Sequence, residues 1–100
     1  MSTFGSFLKV KREELNLTQT EFGALIGINS SAISRIENGA QKFTASKLNL
    51  LSEIFKADKQ KIKDLYYGDK FAYEAISNNC SASVFEVAEN TIKYLKQKEG

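Results

Sequence analysis

The 100-residue sequence predicts an all-α fold, in which a bundle of short helices is followed by a C-terminal helical hairpin. Three observations carry this expectation. Apolar residues recur at three- and four-residue spacing along most of the chain, strand-like alternation is absent, and there is no proline to break a helix.

The first helix is expected over residues 4 to 15, with Phe4, Leu8 and Leu15 on one face and Leu17 packing behind it. The second and third, over 19 to 26 and 30 to 38, draw their buried stripes from Phe22, Leu25, Ile26, Ile28, Ile33 and Ile36. Thr18 and Glu21 form a T-x-x-E capping box ahead of the second helix, and Asn29 can cap the third. Gly27 stands between the two stripes, where a sharp turn calls for positive φ, and Asn38-Gly39 supplies the stop signal after the third helix. Gly23 follows Phe22 where the two axes must cross closely. Together these residues have the layout of a helix-turn-helix, although capped amphipathic pairs also occur in proteins that never meet DNA.

After the loop GAQKF, a fourth helix over 45 to 56 presents Leu48, Leu51, Ile54 and Phe55, with Thr44 as its cap. Asp58 caps a fifth over 59 to 77, lined by Ile62, Leu65, Ala72 and Ile76 and interrupted by Gly68. Asn78 and Asn79 mark a turn, and Ser81 or Ser83 caps a sixth helix over 83 to 98, where Phe85, Ala88, Ile92 and Leu95 share a face. The expected division is a four-helix unit at 1–57 and a hairpin at 58–100.

Composition narrows the function classes. The chain is 42% apolar with a net charge of +2, which describes a globular domain. Residues 1 to 57 hold seven Lys or Arg against five Asp or Glu, whereas residues 58 to 100 hold seven of each, so the positive excess lies with the helix pair. Cys80 is the single cysteine and histidine is absent, which removes a disulfide, a usual zinc site and His-based catalysis. No spacing sets a nucleophile beside a base, so neither an enzyme nor a metal or other cofactor is expected. No apolar run reaches a membrane span, and the start MSTFGSFLKV lacks a signal-peptide pattern, which together point to the cytoplasm.

The segments LTQTEFGALIGI and SAISRIENG, taken with their order and spacing, resemble the Cro and phage-repressor type of helix-turn-helix domain, the XRE family, over about residues 5 to 57. The resemblance implies a lambda-repressor-like bundle that binds double-stranded DNA. It implies that Arg12 pairs with Glu37, tying the recognition helix to the scaffold; the alternative is two solvated surface charges. Carrying the family's reading positions over gives Ser30, Ser31, Ser34 and Arg35 as base contacts. An arginine at position 35 can bond guanine O6 and N7 together, while Ser30 and Ser31 also read as helix-start residues. Gln19 matches the family's phosphate-binding glutamine at a helix N-terminus, with Thr18, Asn38, Gln41, Lys42 and Lys47 as further phosphate candidates.

Such a unit covers few base pairs, so a homodimer on a palindromic operator is expected. The hairpin is the candidate dimer element, through Leu65, Tyr66, Phe71, Tyr73, Ile76, Phe85, Ile92, Tyr94 and Leu95; the alternative is packing of these residues within the chain. The tail DLYYGDKFAYEAISNN with VFEVAENTIKYL is also similar to small XRE-type regulators associated with restriction-modification methyltransferases. The expectation is a transcriptional regulator, most simply a repressor. The competing reading is an antitoxin-like module whose C-terminal helices bind a protein partner and which regulates its own operon.

Overall fold

In the computed structural model, which describes residues 3–99, most of the described residues are helical and no strand occurs among them. Helix α1 (Phe4–Glu14) starts with a capping box in which the Thr3 hydroxyl accepts from the Ser6 N–H at 3.1 Å and the Thr3 N–H donates to the Ser6 hydroxyl. Helix α2 (Gln19–Ile26) starts with the Thr18–Glu21 box, and α3 (Ser30–Glu37) with Asn29, whose side-chain oxygen accepts from the Ala32 N–H at 2.8 Å. A single 3₁₀ turn (Ala45–Lys47) leads into α4 (Leu48–Phe55). Asp58 then caps α5 (Lys59–Ser77) through the Lys61 N–H, and α6 (Ser83–Glu99) completes the order.

Most of the helices end in one way. After α3, Ala40 N–H donates to the Arg35 carbonyl and Gly39 N–H to the Ile36 carbonyl, with Gly39 at φ 82°, a Schellman motif. The same pair of bonds closes α1 at Asn16, α4 at Lys56 and α5 at Asn79, all non-glycine residues at positive φ. Helix α5 runs unbroken through Gly68.

The core is strung on aromatic rings. Phe43, Phe4, Phe7, Phe55 and Phe22 follow one another at centroid separations of 5.7, 5.8, 6.0 and 5.6 Å, joining the loop after α3 to α1, α4 and α2. Each such pair contributes roughly 0.5–1.5 kcal/mol beyond burial. Leu8, Ile26, Ile33, Ile36, Leu48 and Leu51 fill the space around them, and Ile62 joins from the start of α5. Tyr66 packs its ring edge against Phe4 and donates its hydroxyl to the Phe43 carbonyl at 2.9 Å, and the Asp69 carboxylate accepts from the Phe4 N–H at 3.0 Å.

Several expectations change here. Leu25 is 54% exposed, because the buried face of α2 is centred between Phe22, Gly23 and Ile26 and Leu25 lies about 100° away from it. Leu15 is exposed because it ends α1, and Leu17 turns inward instead. Thr44 bonds no backbone N–H with its side chain; its hydroxyl meets that of Ser46 at 3.1 Å. Phe7 and Phe43, absent from the expected core, are buried in it.

Two compact units meet between Asp69 and Lys70, so the first turns of α5 belong with α1–α4. In the second unit, no residue of α6 is buried. Ile76 is 71% exposed, and Phe85, Ile92 and Leu95 about half exposed. The apolar seam expected between α5 and α6 is therefore largely open to solvent. Among the described residues no helix is long and apolar enough to cross a membrane.

An added Cβ would overlap the Ile28 carbonyl oxygen at Gly23 but meet nothing within 4 Å at Gly68. The same substitution should therefore have opposite signs. Gly68→Ala should raise the stability in urea unfolding by about 0.5–1 kcal/mol, and Gly23→Ala should lower it by about 1–3 kcal/mol.

Candidate nucleic-acid interface

Helix α3 divides cleanly into two faces. Ala32, Ile33, Ile36 and Glu37 are buried, whereas Ser31 and Arg35 are exposed and Ser30 and Ser34 half-buried. Ser31 and Arg35 are four residues apart, as are Ser30 and Ser34, so all four lie along the side of α3 turned from the core. The helix is presented at a turn where Gly27 takes φ 76° and both Gly27 and Ile28 donate to the Gly23 carbonyl. Close approach of Gly23 to Ile28 fixes how α2 lies against this turn.

A buried ionic cluster holds the far end of α3. Arg12 Nε donates to Glu37 Oε2 at 2.7 Å, and its Nη2 donates to Oε1 at 3.1 Å. The remaining nitrogen, Nη1, donates to the Leu17 carbonyl at 2.7 Å, and Gln19 Nε2 donates to Glu37 Oε1 at 3.1 Å. The side chains of Arg12 and Glu37 are 10% and 1% exposed, and among the described residues no buried side-chain polar atom lacks a partner. The hydrogen bond to Glu37 is the largest influence on Arg12 and raises its pKa above the ordinary arginine value, against the opposing effect of burial; the charges of Glu37 and Glu13 add to the rise. Four elements converge here: α1, the α1–α2 connection, the start of α2 and the end of α3. Gly5 adds a second junction, since a side chain there would overlap the Ile36 carbonyl.

The phosphate candidates fall into different settings. Gln19 is half-buried with its amide turned to Glu37, a contact that sequence reasoning missed. The Thr18 hydroxyl accepts from the Glu21 N–H at 3.0 Å, while Glu21 accepts from the Thr18 N–H at 2.8 Å. The bond from the Thr18 N–H foremost, and the Thr18 side chain after it, hold the Glu21 carboxyl below the usual carboxylate range. The contribution of this cap is therefore full above the ordinary glutamate pKa and fades as pH falls through the lowered value. Asn38 and Lys42 are exposed, Asn38 ending α3 and Lys42 lying in the loop beyond it. Lys47 is half-buried, with its Nζ over Gly27. Gln41 is bonded to Arg35, Nε to Oε1, at 2.9 Å.

The residues expected at a dimer surface also separate. Leu65 and Tyr66 are half-buried and pack against the core of the first unit. Phe71, Tyr73, Ile76, Phe85, Ile92, Tyr94 and Leu95 are exposed in the second unit. Among the described residues no group of acidic, histidine or cysteine side chains is placed to hold a metal ion.

The fold is that of a helix-turn-helix domain of the Cro and phage-repressor type. The sequence profile of the helix-turn-helix family matches residues 8–62, more than half of the chain, and the protein belongs to that family. Among solved structures it is similar to the P22 c2 repressor, crystallised in complex with the synthetic operator 9T, at 21% identity and a TM-score of 0.55; the match covers 62% of this chain and 94% of the repressor. It is also similar to a chain of the SinR protein/SinI protein complex, at 20% identity and a TM-score of 0.53, over 95% of this chain and 99% of that one. No curated protein matches the sequence.

Arg12→Met leaves the Glu37 carboxylate buried with only the Gln19 amide, and should cost about 3–5 kcal/mol in chemical denaturation. The double variant Arg12→Met/Glu37→Met removes both charges and should recover most of that loss. A single variant no less stable than the wild type would show that the cluster contributes nothing to the fold.

Proposed function

We propose that the protein is a sequence-specific transcriptional regulator that binds a palindromic operator as a homodimer and represses by occluding a promoter. The observation that carries this reading is the outward face of α3, where Ser30, Ser31, Ser34 and Arg35 lie on a helix whose other face is buried and whose end is clamped by Arg12 and Glu37. A major groove accepts one such helix, and its outward residues meet the base edges. Arg35 is the principal base-reading residue, and the serines add short contacts. Thr18, Gln19, Asn38, Lys42 and Lys47 meet the phosphates, where Gln19 sits at the start of α2 with unfilled backbone donors. The modest net charge of +2 makes nonspecific binding weak and salt-sensitive.

Dimerisation belongs to the second unit. Its exposed Ile76, Phe85, Ile92, Tyr94 and Leu95 form more apolar surface than a lone unit of this size keeps in water, and a two-fold pair would bury it. The same exposed surface also supports a second reading, in which it binds a different protein. The likeness of the tail to methyltransferase-associated regulators makes a restriction-modification operon the first place to look for the operator.

Selection of duplexes from a random pool should return a palindrome with half-sites about 10 base pairs apart, and an unenriched pool would count against the reading. On the selected duplex, Arg35→Ala should lower affinity about 5- to 150-fold in fluorescence anisotropy while affinity for random DNA changes little. Ile92→Asp combined with Leu95→Asp should convert a dimer to a monomer in light scattering and leave the circular dichroism of the first unit intact. A wild-type protein that is monomeric at tens of micromolar would move the exposed surface to the partner-binding reading.

A further inference from the structure

We infer that Gln41 is a positioning residue for the base-reading arginine, in place of the phosphate contact its place after α3 implies. The inference rests on the reading of Arg35 given above. The chain beyond α3 turns back at Gly39, and both the Ala40 and Gln41 N–H groups donate to the Arg35 carbonyl, at 2.8 and 3.2 Å. This sets the backbone of residue 41 against that of residue 35. The side chains then close the same pair, with Arg35 Nε donating to Gln41 Oε1 at 2.9 Å. Arginine has no acceptor, so the amide must present its oxygen to it, and the orientation of Gln41 follows from the chemistry.

The choice of donor matters. A guanidinium meets a guanine either through its Nε and one Nη or through its two Nη groups. Capture of Nε by Gln41 occupies the first edge and leaves the Nη pair, which matches the spacing of O6 and N7 on one guanine. An exposed arginine otherwise loses much of its rotamer freedom when it docks on a base. A neutral amide that already holds Nε removes part of that loss before DNA arrives, and it does so without a carboxylate that the phosphates would repel. Gln41 thereby selects which edge of Arg35 faces the groove, and so sharpens discrimination at one base pair.

The experiment uses the full chain with Gln41→Met, which keeps the length of the side chain and removes the amide oxygen. Wild type, Gln41→Met, Arg35→Ala and the double variant are titrated on the selected duplex and on duplexes altered at the pair where only Arg35→Ala loses discrimination. Gln41→Met should weaken the selected duplex about 3- to 10-fold, shrink discrimination at that pair alone, and change nothing further in the Arg35→Ala background. In the DNA-free protein, the Arg35 Nε–H signal in ¹H–¹⁵N spectra should exchange slowly with water and broaden in Gln41→Met. Equal weakening on every duplex in both backgrounds would assign Gln41 to a phosphate and overturn the inference, as would an unchanged Nε–H signal. If the wild type selects no duplex, the regulator reading falls, and the Nε–H comparison alone decides whether Gln41 holds Arg35.

Discussion

The helix pair depends on a guanidinium and a carboxylate buried against each other. Desolvating Arg12 and Glu37 is costly, and their attraction offsets that cost only because nearly every donor and acceptor is used. Two bonds join the pair, one runs to the Leu17 carbonyl and one comes from Gln19, so the cluster tolerates little displacement of any of the four elements it touches. A hydrophobic contact at the same point would permit sliding. Directional bonds fix the angle of α3 instead, and that angle sets where Ser31 and Arg35 point.

Around the cluster, the backbone supplies the remaining constraints. Gly5 lets α1 touch the end of α3, and Gly23 lets α2 touch the turn ahead of it. Helix α3 is thus gripped at both ends by main-chain contact, while its middle is held by Ile33 and Ile36 in the core. An eight-residue helix has marginal stability alone, so its straightness and aim come from this grip rather than from propensity.

Much of this was legible in the residues. The Thr18 and Asn29 caps, the Gly27 turn and the Gly39 stop are local signals, and each lies where its chemistry placed it. The extents of α2 and α5 followed the same way. What escaped is what depends on tertiary geometry. Leu25 and Leu15 carry the right side chains for a core but sit on the wrong side of a short helix or at its end. Phe43 is a lone aromatic residue in a polar loop, and that isolation was the available clue to its burial. The Gln19–Glu37 and Arg35–Gln41 bonds join residues on different segments, and no periodicity marks them. The separation of Leu65 and Tyr66 from Phe85 and Ile92 was likewise invisible, because a helix stripe does not say which of two neighbours it meets.

The bond from the Phe4 N–H to the Asp69 carboxylate spans nearly the whole first unit. On a ribosome adding about 5–20 residues per second, several seconds separate the synthesis of those two residues. Through that interval the Phe4 N–H lacks its carboxylate partner, and the Phe4 ring lacks first Phe43 and then Tyr66. The helix-turn-helix is therefore complete as a sequence well before the unit around it is complete as a structure. Its final closure falls to a helix that continues into the second unit, so the first unit is complete only once the chain that begins the second has also been made.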